Sequence, residues 1–204
     1  MREYKGRPVG TTGKARAITD EEFEVVVNHA ITTRHGERNV AMLVLSFYLG
    51  LRAKELAALK ISDVYDGRGI VKTLRLIAAY TKGNRHRDIC LENKRVVAVL
   101  ETYIAKRQAD EGNLFNMQSA LFKTQLGGRF SANSIARKFI DIYEAAGMDN
   151  ASSHTGRRSL ITKLAYKGID INTIRQIAGH KDISTTQRYI EENPFRVRDV
   201  LTSI

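Results

Sequence analysis

The chain has 204 residues, with 33 Lys and Arg against 22 Asp and Glu and a formal net charge of +11. That length fits one domain with a short extension, and that charge is the footprint of a polyanion binder, with nucleic acid the first polyanion to consider. The longest apolar stretch, Val40 to Leu51, is interrupted by Ser46 and Gly50 and too short to span a bilayer; no signal peptide is expected ahead of it, and the single cysteine excludes an intrachain disulfide.

Met1 to Ala17 carries Arg2, Lys5, Arg7, Lys14 and Arg16 with three glycines, one proline and one acid, so a flexible basic arm over 1–17 is expected, with 18–204 as the folded unit. Thr19 and Glu22 form a capping-box pattern ahead of Phe23, Val26 and Val27, predicting a helix to about Thr33. An apolar helix is predicted over Arg38 to Leu49, stopped by Gly50, and a short helical stretch over Ala53 to Leu59, with Arg52 at its start. Between Asp63 and Leu91, turn signals at Asp66-Gly67-Arg68-Gly69 and Lys82-Gly83-Asn84 separate runs rich in Val, Ile, Leu and Tyr, the pattern of a small antiparallel sheet. Cys90 lies in one such apolar run and is expected as a small core residue, its free thiol fitting a reducing cytoplasm.

Asn93 can cap a long helix reaching about Asp110, and after a loop Ser131 opens another that ends near Gly147. Helix signals return over Leu160 to Gly168 and Ile171 to Gly179. Ser184 and Gln187 form a second capping-box pattern, which places Tyr189 in or just after a short helix, and Val197, Val200, Leu201 and Ile204 predict a terminal amphipathic helix. The fold class expected is α+β, mostly α-helical, with one small antiparallel sheet.

The chemistry concentrates in the last fifth, where His154-Thr155-Gly156-Arg157 is followed by Gly179-His180 and then by Tyr189. These residue types suit attack on a phosphodiester: a tyrosine hydroxyl can act as nucleophile, histidines can donate to non-bridging oxygens, and an arginine can grip a phosphate with two parallel bonds. A metal-dependent nuclease would need clustered ligands, and the sequence has no His-x-x-x-His, no Asp-x-Asp and no cysteine pair. No metal is expected. Taken singly, each motif residue has an ordinary structural explanation, such as an i,i+3 charge pair for Arg52 and Glu55 or a turn position for Lys82.

Five stretches in order resemble the tyrosine recombinase, or phage integrase, family over roughly Ala17 to Tyr189. They are Gly50-Leu51-Arg52-Ala53-Lys54-Glu55-Leu56, Thr81-Lys82-Gly83-Asn84-Arg85-His86-Arg87, His154-Thr155-Gly156-Arg157, Ala178-Gly179-His180 and Thr185-Thr186-Gln187-Arg188-Tyr189. The resemblance implies the family's catalytic fold, with a β-hairpin carrying a lysine, and a cofactor-free reaction through a 3′-phosphotyrosyl ester on double-stranded DNA. It assigns Arg52 and Arg157 to the phosphate clamp, Tyr189 as nucleophile, His154 as possible proton acceptor, His180 as a donor to a non-bridging oxygen, Lys82 as general acid, and Glu55 as the residue that orients the first arginine or a histidine. It also implies a homotetramer on two DNA sites, possible accessory DNA-bending proteins, a cytoplasmic, nucleoid-associated setting in a prokaryote or phage, and a C-terminal segment that docks on a neighbouring subunit.

Three departures from the family pattern stand out. Most members have a separate helical DNA-clamping domain before the catalytic one, whereas about seventeen residues precede the matching region here, so the chain is more like the short recombinases that invert fimbrial promoters or a catalytic fragment; the basic arm, with Lys5, Arg7, Lys14 and Arg16, is expected to lie on phosphates or in a minor groove in place of that domain. Gly156 and Arg158 stand where leucine and histidine are common, and Ala178 replaces a commoner leucine. Further candidates for DNA contact are Arg129, Asn133, Arg137 and Lys138 around one predicted helix. Type IB topoisomerase-like relaxation and a DNA-binding regulator of recombination are the alternative functions.

Overall fold

The structure, a computed structural model, describes residues 15–77 and 86–190, the last two by their backbone. Helix α1 (Asp20–Ile31) begins as its sequence requires: Thr19 Oγ1 accepts from the Glu22 N–H and the Glu22 carboxylate accepts from the Thr19 N–H, a complete capping box. Helix α2 (Gly36–Leu49) has all but two of its fourteen residues buried, and Gly50 closes it in the left-handed conformation at φ 65°. An element buried on nearly every side needs no polar face, which is why its sequence from Val40 to Leu49 is apolar at every position but Ser46. Phe47 on α2 stacks on Phe23 of α1 with ring centroids 3.9 Å apart.

Helix α3 (Ala53–Ala58) follows directly. Strands β1 (Thr73–Leu76) and β2 (Arg87–Cys90) then pair antiparallel, with Thr73 opposite Cys90 and Leu76 opposite Arg87. The expected sheet is therefore present as a two-stranded ribbon, while Lys82, in the segment joining its strands, lies outside the described residues. Helix α4 (Lys94–Glu111) is capped by the Asn93 side chain, and α5 (Ala132–Ala145) by Ser131, both as their sequences predict. One main core links α1 to α5 and the sheet, and α2 passes through it in contact with α4.

Helices α6 (Thr155–Tyr166), α7 (Ile171–Ala178) and α8 (Ile183–Ile190) pack on one another around a separate small core of Ile161, Ala165, Ile174 and Ala178. Helix α6 also runs against α2, and the two backbones approach so closely that a Cβ on Gly156 would lie 2.8 Å from Ser46 Oγ and 3.0 Å from the Phe47 nitrogen. The glycine found where the family often has leucine is thus a packing requirement of this α2–α6 crossing, since any larger side chain would push the helices apart.

Three expectations differ from what is seen. Helix α8 starts at Ile183, so Ser184 lies inside its first turn and is not its cap. Cys90 is exposed: β2 alternates between partly buried and exposed positions, and the cysteine falls on the outer face, its Sγ 3.4 Å from Glu92 Oε2. Helix α6 begins at Thr155, five residues before the apolar spacing announces it, because its first turn carries no large apolar residue. At the start of the described chain, the Arg16 N–H donates to the Asn150 carbonyl (3.1 Å) and the Ile18 N–H to Ser159 Oγ (2.9 Å), tying this stretch to the folded unit. The rest of the expected arm, with Lys5, Arg7 and Lys14, and the expected terminal helix lie outside the described residues.

Candidate active site

The site forms where the two cores meet, at the C-terminal end of α7. The carbonyls that close a helix have no partners within it and carry the negative end of its dipole. Here they are met by guanidinium groups from three distant elements. Arg157, 4% exposed on the first turn of α6, donates from Nη1 to the Gly50 carbonyl (2.7 Å) and from Nη2 to the Ala178 carbonyl. Arg52, which precedes α3, donates from Nη2 to the Gly179 carbonyl (3.2 Å) and more weakly to that of Ala178 (3.4 Å). Arg87, at the start of β2, donates from Nη1 to the Ile177 carbonyl (2.9 Å).

Glu55 is the counterion at the centre and is fully buried. Its Oε1 accepts from Arg52 Nη1 (2.8 Å), and its Oε2 accepts from the Arg52 backbone N–H (2.9 Å) and from Arg87 Nη2 (3.0 Å). A buried carboxylate is tolerable only when its oxygens are satisfied by charged or backbone donors, as they are here. Three guanidiniums against one carboxylate leave a surplus of two positive charges, the sign a phosphate requires.

Gly179 caps α7 at φ 58° and turns the chain so that His180 points into this cluster. The left-handed turn favours glycine, and so does space, because a Cβ here would sit 2.8 Å from Arg87 Nη1. His180 is 9% exposed, and its Nδ1 shares a 3.0 Å hydrogen bond with Thr186 Oγ1 of α8. Burial, followed by the charges of Arg157, Arg52 and Arg87, pulls its pKa from 6.5 to about 4, so the ring is neutral at pH 7. As pH falls through 6.5 the unfolded chain takes up this proton and the folded protein does not until about pH 4, so His180 subtracts stability across that window. Replacing His180 by Gln is expected to flatten the pH dependence of the urea midpoint between pH 6.5 and 4, removing a slope of at most about 1.4 kcal/mol per pH unit. An unchanged slope would show that His180 is not shielded in this way.

Of the residues singled out in the sequence, the structure joins Arg52, Glu55 and Arg157 through shared partners and sets His180 within the field of their guanidiniums. His154 is the exposed residue that opens α6, three positions before Arg157, and its N–H donates to Ser152 Oγ. Tyr189 lies in α8, three residues beyond Thr186, and Lys82 is outside the described residues. Two residues of the cluster stand in the quoted motifs without this role: Thr186 has no part assigned there, and Arg87 is expected only as positive charge near Lys82. The Ala178 side chain belongs to the small core, and its carbonyl serves the arginines. Among the suggested DNA contacts, Arg129 donates to the carbonyls of Ala57 and Ala58 and so caps α3, Arg16 pairs with Glu22, and Asn133, Arg137 and Lys138 line α5, the latter two 3.9 Å from Asp141. Among the described residues, no group of three or more His, Cys, Asp or Glu could hold a metal ion, and no helix is long and apolar enough to cross a membrane.

Comparison with known proteins identifies relatives of the chain and of its fold. Tyrosine recombinase XerD of Halalkalibacterium halodurans is 32% identical over 197 residues, covering 95% of this chain and 62% of the relative. Tyrosine recombinase XerC of Myxococcus xanthus is 33% identical over 188 residues, covering 90% of this chain and 60% of the relative, so the chain spans about three fifths of the length of these curated proteins. The crystal structure of XerA recombinase superimposes with a TM-score of 0.73 at 25% identity, covering 92% of this chain and 64% of that one. XerH site-specific recombinase bound to its palindromic difH substrate gives 0.71 at 21% identity, covering 91% and 52%. With the model of the phage integrase family matching residues 16–196, nearly the whole of the described fold and its arginine cluster, the chain belongs to that family.

Proposed function

We propose that this chain is the catalytic unit of a site-specific DNA recombinase that cuts and rejoins strands through a tyrosyl ester. The observation that carries this reading is the meeting of Arg52, Arg157 and His180 at one helix end, beside the short helix that holds Tyr189. The Tyr189 oxygen attacks phosphorus, the bond from phosphorus to the 5′ oxygen breaks, and that oxygen leaves with a proton. A 3′-phosphotyrosyl link and a free 5′ hydroxyl result. Attack by the 5′ hydroxyl of another strand reverses the step and releases the tyrosine, so the ester conserves the bond and no cofactor is consumed.

In this reading Arg52 and Arg157 carry the growing charge on the non-bridging oxygens, where permanently charged, planar donors are most effective. Neutral His180 adds a donor in the tautomer assigned to it in this reading, in which Thr186 donates to Nδ1 and the ring proton resides on Nε2. His154 accepts the tyrosine proton, Lys82 supplies one to the leaving oxygen, and Glu55 holds Arg52 in place. Double-stranded DNA is the partner, engaged by a homotetramer on two sites with DNA-bending proteins assisting, and the basic residues ahead of Ile18 lie along its phosphates.

The test is to incubate the protein with DNA fragments, trap adducts that survive denaturation, and sequence the attached DNA. Adducts at one inverted-repeat site are expected. Adducts scattered without a shared sequence would shift the reading to relaxation of the topoisomerase type, and tight DNA binding with no adduct would overturn strand transfer by this chain.

A further inference from the structure

Arg87 has no part in the reaction described above, yet it is built into the site more tightly than any surface arginine would be. Its side chain is 9% exposed and spans two partners that are 90 and 32 residues away in sequence: the Ile177 carbonyl at the end of α7 and the Glu55 carboxylate behind Arg52. Its aliphatic end and guanidinium lie against Gly179, where a Cβ would come within 3.1 Å of Cδ and 2.8 Å of Nη1. The buried Nε–H meets no acceptor among the described residues. Burying a guanidinium, with one donor unmet, opposes folding, and the depressed guanidinium pKa, caused first by burial, has the same origin. A stability role alone would be served as well by an apolar side chain of similar volume.

Resting on the recombinase reading, we infer that Arg87 is a positioning residue that sets Arg52 and His180 in register for the transferring phosphate. It acts on Arg52 through the shared carboxylate of Glu55, and on His180 through the carbonyl and glycine that precede it. Without Arg87, Glu55 Oε2 loses its charged partner and can swing toward Arg52, drawing that guanidinium away from the phosphate. The end of α7 loses its latch to β2, and His180 is freed with it. Arg87 touches neither DNA nor the reacting atoms, so its removal should lower the rate of the bound complex and leave DNA affinity alone.

The test compares Arg87→Met, which keeps the aliphatic volume, and Arg87→Lys, which keeps the charge but cannot span both partners, with the parent protein on DNA carrying a mapped cleavage site. The expected result is a fall of about 10- to 100-fold in single-turnover adduct formation at saturating DNA for Arg87→Met, a smaller fall for Arg87→Lys, and a DNA Kd within about 3-fold of the parent. A double-mutant cycle with Glu55→Gln should be strongly non-additive, the pair losing little more than either single change. Full single-turnover rate in Arg87→Met, or in Arg87→Lys should the methionine variant fail to fold, would overturn the inference while the recombinase reading stood, and so would a rate loss that merely tracked a lowered urea midpoint. Absence of any adduct from the parent protein on that DNA would overturn the recombinase reading, and this inference with it.

Discussion

Replacing Tyr189 by phenylalanine should abolish the covalent adduct and leave folding and DNA affinity unchanged. The change removes one oxygen from α8 and leaves in place Thr186, whose hydroxyl bonds His180 one turn earlier. On the proposed reading, a tyrosine hydroxyl with an ordinary pKa of about 10 is a poor nucleophile at neutral pH, and the surplus positive charge of the arginine cluster favours its ionised form. Loss of the nucleophile itself cannot be compensated by the clamp, so adduct formation should fall by on the order of 1,000-fold or more, to the limit of detection. Two other tyrosines are badly placed to substitute. Tyr143 is fully buried in α5, and Tyr103 is 3% exposed and donates to the Leu121 carbonyl; burial raises the pKa of both. Denaturing gel analysis of trapped complexes is the measurement, and an adduct of parental yield in the Phe variant would mean that another side chain attacks.

Replacing Arg157 by alanine should damage both stability and chemistry, and the two can be separated. This guanidinium joins the carbonyl of Gly50, just ahead of Arg52, to that of Ala178, just ahead of His180, so one side chain holds together the two loops that present Arg52 and His180. Its loss leaves the Gly50 carbonyl without its donor and the Ala178 carbonyl with only the long bond from Arg52, at about 1–3 kcal/mol for a buried acceptor left unmet, which urea denaturation would register as a lowered midpoint. On the chemical side, removal of a donor to the developing oxyanion lowers the rate by about 100- to 1,000-fold. Arg157→Lys retains the charge but offers one ammonium where a fork reaches two carbonyls, so it should regain part of the stability and little of the rate. A lysine variant with parental single-turnover kinetics would remove Arg157 from the clamp.

The local elements were legible because their causes are local. Thr19, Asn93 and Ser131 cap their helices with side chains that reach only two or three residues ahead, and Gly50 and Gly179 end theirs by a conformation that glycine adopts most readily. The fold class and the family were legible for the same reason, since each motif is a short string whose residues act within one turn or one loop. Ser184 misled because a polar first turn offers several capping patterns one residue apart, and Cys90 because a four-residue strand shows its faces only once the sheet has a buried side.

What the sequence by itself determined was therefore the set of helices, the sheet, the basic character and the list of groups suited to a phosphodiester. Only the tertiary structure decided how they are wired. The need for Gly156 comes from the approach of α6 to α2, and nothing beside it in sequence announces a neighbour 110 residues earlier. Glu55 reads locally as the partner of Arg52, yet its second arginine arrives from β2, and the carbonyls that hold all three guanidiniums come from the end of α7. Charge pairing over such separations depends on the three-dimensional path of the chain, since a side chain reaches only a few ångströms and meets whichever partner packing delivers to it.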